Sequence, residues 1–241
     1  SYRIPATKCQ ASPKPIIDRS PMLIPGGFLS GTLFPWVACA PMLPLLFLVI
    51  RRPAMDRTLM SMVLLSTVTL LGDTFLFMSR GTASLTPSFE AVSIFFQFVT
   101  SSLLIWSLTG DNYLRTAIGA ASLVHAAVFL TMNLAPGFEP FRAYLVLFGF
   151  VLLFLYAVLA LFRLQQDLDR HIHETPAFWF AAGILFESGI LAFLLILNAE
   201  LEPDSLSRAN GLDVMLTAVT WLKFIFFGLG IRQYRTLDGR K

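Results

Sequence analysis

Polar residues interrupt this chain so rarely that its most regular feature is a succession of long apolar runs. A hydrocarbon layer about 30 Å thick takes roughly 20 apolar residues of helix. Seven stretches have that length and character: 28–50, 58–79, 87–109, 116–134, 143–162, 176–198 and 212–231. Between them lies punctuation. Arg51-Arg52-Pro53 closes the first run and Ala135-Pro136-Gly137 the fourth. Thr86-Pro87 and Thr175-Pro176 put a proline where a helix begins, a position at which its missing N–H costs nothing. The connections are short, which predicts antiparallel neighbours. Pro35, Pro41 and Pro44 should kink the first run. The fourth is crowded with Ala117, Gly119, Ala120, Ala121, Ser122, Ala126 and Ala127, and small residues let backbones approach, so it is expected inside the bundle. The fifth carries Leu, Val and Phe on every side and is expected to face lipid.

Composition sharpens this pattern. The 241 residues are 56% hydrophobic and 14% charged, with mean hydropathy +0.70. A soluble domain carries about 25% charged residues. So apolar a chain excludes an ordinary soluble enzyme, a nucleic-acid-binding domain and a disordered protein. The expected fold is all-α: a polytopic membrane protein with a seven-helix transmembrane bundle over residues 28–231, an extramembrane tail over 1–27 and a short cytoplasmic tail over 232–241. The Pro-rich first segment has no apolar core of a cleavable signal; it reads as an extramembrane strap or as added sequence ahead of a start at Met22. The lipid bilayer is one expected partner, other membrane proteins are another, and nucleic acid is not.

Charge sets the expected orientation. Arg51, Arg52, Arg57, Arg115, Arg163, Arg170, Arg232, Arg235, Arg240 and Lys241 flank one side of the runs, and only Arg80, Arg142 and Arg208 the other. By the positive-inside rule the C-terminus is cytoplasmic and the N-terminus outside, although Arg3, Lys8, Lys14 and Arg19 in the tail argue the other way. A bacterial inner membrane is the expected location.

Candidate chemistry resides in the few ionisable groups within the runs. Each costs at least ~2.5–3.5 kcal/mol in hydrocarbon, so each is expected to face the bundle and find a partner. At ~1.5 Å per residue, Gln97, His125, Glu187 and Lys223 fall near mid-membrane, and Asp73, Glu90 and Asp213 form an acidic layer nearer the outside. Glu187 and Lys223 either lock the sixth and seventh helices together, or form with His125 a polar pocket or proton path. His125 alone reads as a packing histidine or a titrating one. Asp73, Glu90 and Asp213 have helix-end solvation as their alternative, and a carboxylate in a first helical turn is favoured by the macrodipole in any case.

Other signals are weaker. His171 and His173 beside Asp167, Asp169 and Glu174 have the donors for a divalent ion but read first as a solvated loop, and no metal is assigned. Glu200, Glu202 and Asp204 make an acidic outer loop. Trp36, Trp106, Trp179 and Trp221 suit interface belts, and 23 phenylalanines suit packing, lipid contact or a quinone, carotenoid or chlorophyll tail; no cofactor is assigned. Cys9 and Cys39 stand too far apart in depth to pair. No CxxC, HExxH, nucleophile elbow, phosphate loop or dinucleotide fingerprint is present, and no internal repeat is visible.

Two resemblances follow from these residues. Lys223 in the seventh run is placed like the retinal lysine of microbial rhodopsins, but Val219 stands where those proteins carry an aspartate, and only Gln97 marks the middle of the third run. The stretch with Pro176, Phe178, Trp179, Gly183, Ser188, Gly189 and Phe193 resembles the sixth helix of the seven-helix membrane sensor regions that precede bacterial histidine kinases. That resemblance implies a sensor-like role. Only ten residues follow the seventh run, so output would need a separate partner. The expected function is a non-enzymatic membrane sensor-like or accessory module, packing against other membrane proteins and holding a small ligand near His125, Glu187 and Lys223. A small transporter or proton-translocating subunit, and a pigment- or quinone-associated subunit of an energy-converting complex, are the alternatives.

Overall fold

In the computed structural model, residues 34–79, 86–134, 141–167, 172–200 and 206–234 are described, without the side chains of 34–35, 77, 79, 86–90, 134, 167, 198–200 and 206–213. The helices among them are α1 (Phe34–Cys39), α2 (Met42–Arg51), α3 (Arg57–Ser79), α4 (Thr86–Leu108), α5 (Asn112–Leu134), α6 (Arg142–Asp167), α7 (Pro176–Glu200) and α8 (Leu206–Gln233), with a 3₁₀ turn at Ile172–Glu174 ahead of α7. Six of them, α3 to α8, are long and apolar enough to cross a membrane. They coincide with the second to seventh apolar runs.

The first run is broken. Pro41 has no N–H to donate and its ring displaces the carbonyl four residues back. α1 therefore stops at Cys39, Ala40 N–H bonds Val37 O at 3.0 Å, and the chain restarts as α2 with Pro41 as its N-cap. Pro44 then falls in the first turn of α2, where no intrahelical donor is needed. Arg52 ends α2 in the left-handed conformation, φ 46°, donating its N–H to Leu48 O. Pro53 follows and prevents helix continuation. Asp56 caps α3 by accepting the Leu59 N–H at 2.7 Å, and Asp111 caps α5 through the Tyr113 N–H at 2.8 Å.

α7 packs along both α6 and α8, and α3 along α4. α4 also touches α5, α6 and α7, and α2 wedges between α8 and α3. Lipid is as apolar as leucine, so van der Waals packing holds such helices together. Glycines and aromatic rings supply much of it. A Cβ on Gly183 would stand 3.0 Å from the Phe227 ring, and one on Gly230 would stand 2.6 Å from the Phe180 ring. Those two rings meet edge to face at 5.6 Å.

The small-residue helix is a correction. α5 is the least buried of the six long helices, with 17% of its span buried against 50% for α7. Ala117, Gly119, Ala120 and Ala127 are exposed, and only Ile118, His125, Ala126 and Phe129 are buried. Small side chains permit close approach; they do not compel it, and the nearest ring to Gly119, that of Trp106, stays 4.0 Å from a would-be Cβ. The fifth run is two-faced: in α6, Val146, Gly149, Leu153 and Ala157 are buried while Phe148, Phe154 and Leu159 are exposed.

At the end of α8 the Tyr234 hydroxyl donates to both Asp56 carboxylate oxygens, at 3.1 and 3.2 Å. Burial, and then the adjacent carboxylate, raise this phenol well above its ordinary value.

Candidate functional site

The most deeply buried charge among the described residues is Lys223, 2% exposed, on α8. Its Nζ donates to Glu187 Oε1 of α7 at 2.5 Å and lies 4.5 Å from the centre of the Phe224 ring. Gly183, one turn before Glu187, makes this pairing geometrically accessible. Its missing side chain leaves room for the Lys223 carbonyl, 3.1 Å from where a Cβ would be. The two backbones come together there, and the long side chains close the remaining gap. A pair this dry stands only because each charge has the other, and removing one partner from such a pair typically costs ~3–5 kcal/mol.

Two chambers adjoin the pair. The first is polar, and is lined by Thr69 and Asp73 of α3, Ser93 and Gln97 of α4, Glu187, and Thr220 and Lys223 of α8. Thr69 and Thr220 turn their hydroxyls back to Leu65 O and Leu216 O, each at 2.9 Å. Asp73 Oδ2 and Ser93 Oγ are buried with no hydrogen-bond partner. α3 and α4 are in close contact beside them, since a Cβ on Gly72 would stand 2.3 Å from Ser93 Oγ.

The second chamber is aromatic. His125 of α5, Phe98 of α4 and Phe150 of α6 line it, together with Ser101, Gln97, Glu187 and Lys223. The contacts of the His125 ring are with Phe98, Phe148 and Phe129, at centroid distances of 4.5, 5.6 and 6.2 Å. Gly149 lies beneath it, 3.0 Å from Nε2 to a would-be Cβ. The chambers share Ile94, Gln97, Phe150, Glu187 and Lys223 as common lining, so the ion pair borders both.

The four expected mid-membrane residues, Gln97, His125, Glu187 and Lys223, thus line one cavity. Asp73, expected in a separate outer layer, shares the polar chamber with Gln97, Glu187 and Lys223 and interacts electrostatically with the last two. The side chains of Glu90 and Asp213 lie outside the described residues, as do His171, Asp169, Glu202 and Asp204 and the side chains of Asp167 and Glu200. His173 and Glu174 are exposed in the 3₁₀ turn, where His173 O accepts the Trp179 indole N–H at 2.8 Å. Among the described residues no group of three or more metal-binding side chains forms.

Charges alone did not reveal Ser93, Ser101 and Thr69. Spacing does: Ser93, Gln97 and Ser101 recur every four residues, and Ser66, Thr69 and Asp73 fall at i, i+3 and i+7, so each set forms one polar stripe on an otherwise apolar helix. Comparison with known protein families, curated proteins and solved structures finds no match to this chain.

Proposed function

We propose that this chain is a non-enzymatic module of a membrane, sensor-like or accessory, whose polar and aromatic chambers together take one small ligand. The observation that carries this reading is the shared lining: a dry Glu187–Lys223 pair with a polar compartment beside it and an aromatic one continuous with it. Ligand sites are concave, mostly apolar and contain a few fixed polar groups, and the lining of the two chambers has that character. In this reading the first apolar run, with α1 and α2, completes a seventh crossing. The Arg-rich ends face the cytoplasm, the N-terminus lies outside, and the membrane is a bacterial inner membrane.

Purified protein in lipid nanodiscs tests the function. Mass spectrometry under native conditions is expected to find a small molecule retained, and adding it back to stripped protein should raise the melting temperature by mass action. A protein that carries nothing and whose melting temperature no small lipophile raises would refute the reading. Cysteine labelling from each side of the membrane, one position per connection, tests the seven crossings.

A second reading, proton translocation, draws support from the buried Asp73 and Lys223 and the partly buried Glu187 in one chamber. It predicts proton flux in proteoliposomes that Glu187→Gln abolishes in a still-folded protein.

A further inference from the structure

We propose that the polar chamber recognises a cationic nitrogen, and that the ligand of the paired chambers is a lipophilic amine with an aromatic or alkyl tail. The proposal rests on the ligand-binding reading above and specifies its chemistry.

The charge balance of the chamber is its basis. Three charged side chains line it: Asp73, Glu187 and Lys223. Lys223 is committed to Glu187. With Asp73 ionised, one negative charge is left over, and Asp73 makes no ion pair among the described residues. Its carboxylate is nine-tenths buried, and Oδ2 accepts no hydrogen bond. Ser93 Oγ, on the facing helix and equally without a partner, lines the same space. Buried polar groups in native structures are nearly always satisfied, so two orphans beside one cavity signal something that fills it.

The missing partner must donate hydrogen bonds, carry positive charge and fit a chamber with polar oxygens on several sides. A protonated amine does all three: its N–H groups reach Asp73 Oδ2 and Ser93 Oγ, and the Gln97 side chain lies within the same wall. The adjoining chamber, with Phe98, Phe150 and His125, supplies apolar and aromatic surface for the rest of the molecule. An anionic ligand would meet Asp73 and Glu187 while the only lining cation is already paired. A neutral ligand would leave the charge unbalanced.

The test uses the full chain in nanodiscs at neutral pH and three probes of matched shape: 2-phenylethylammonium, 2-phenylethanol and phenylacetate. Binding is read by calorimetry. Charged hydrogen bonds contribute ~1.5–3 kcal/mol, so the ammonium should bind at least about tenfold more tightly than the alcohol, with phenylacetate weakest. Asp73→Asn should erase the preference for the ammonium over the alcohol, and Asp73→Glu should retain it. Equal binding of ammonium and alcohol, a preference for phenylacetate, or an ammonium preference that survives Asp73→Asn would overturn the amine assignment while leaving the ligand cavity intact. Saturable binding by none of the three would overturn both. The charge series in the unmodified protein decides the matter even if Asp73→Asn fails to fold.

Discussion

α7 and α5 are both rich in small residues, yet one is half buried along its span and the other almost bare. The difference lies in what faces them. Ala181, Ala182, Gly183 and Ser188 of α7 are buried against α6 and α8, and Gly183 receives the Phe227 ring. Beside Gly119 of α5 the nearest foreign atom to a would-be Cβ is Trp106 Nε1, at 4.0 Å. A small residue is a socket, and its energetic meaning depends on whether a ring occupies it. α7 also carries Glu187, so its position is held by an ion pair as well as by shape.

The largest expected effect falls on α7. Glu187→Ala leaves Lys223 buried and alone and should destabilise the bundle by ~3–5 kcal/mol, read as the shift in unfolding midpoint in nanodiscs; the double variant Glu187→Ala, Lys223→Met should recover most of that loss. Less than 1 kcal/mol for the single variant would mean that the pair is wetter than the 2% exposure of Lys223 implies. Next comes Gly230→Ala, which drives a methyl into the Phe180 ring and should cost ~1–3 kcal/mol. Tyr234→Phe removes the hydrogen bonds to Asp56 and should cost ~0.5–1.5 kcal/mol. The same Gly→Ala change at Gly119 should have the opposite sign, stabilising by ~0.5–1 kcal/mol through helix entropy alone. If Gly119→Ala destabilises instead, α5 is packed against something and the contrast with α7 collapses.

The same contrast explains what the sequence made legible. Long apolar runs located α3 to α8, because a helix in lipid must satisfy every backbone group internally and so declares itself by length. Helical rise alone placed Glu187 and Lys223 at one depth. The burial of α5 was misjudged from Gly119, Ala120 and Ala127, because close approach needs a matched surface on a second helix, which lies far away in sequence. Depth estimated helix by helix puts Asp73 in an outer layer with Glu90 and Asp213; lateral position, set by how α3 leans on α4 at Gly72 and Ser93, brings it into the chamber of the ion pair. The break between α1 and α2 was foreseen as a kink but not as two separate helices, since Pro44 falls harmlessly in a first turn once Pro41 has restarted the chain.

The contact between Tyr234 and Asp56 carries a consequence for the whole molecule. It fastens the last turn of α8 to the corner before α3, on the side where α2 already touches both helices. The helices therefore form a belt with a buckle rather than a fan with a free edge. Because burial and the neighbouring carboxylate keep the proton on the phenol, the buckle holds where a free tyrosine is already half ionised, and loosens in stronger alkali. Through Tyr234 and Asp56 the end of α8 is thus tied directly to the start of α3, the helix that bears Asp73.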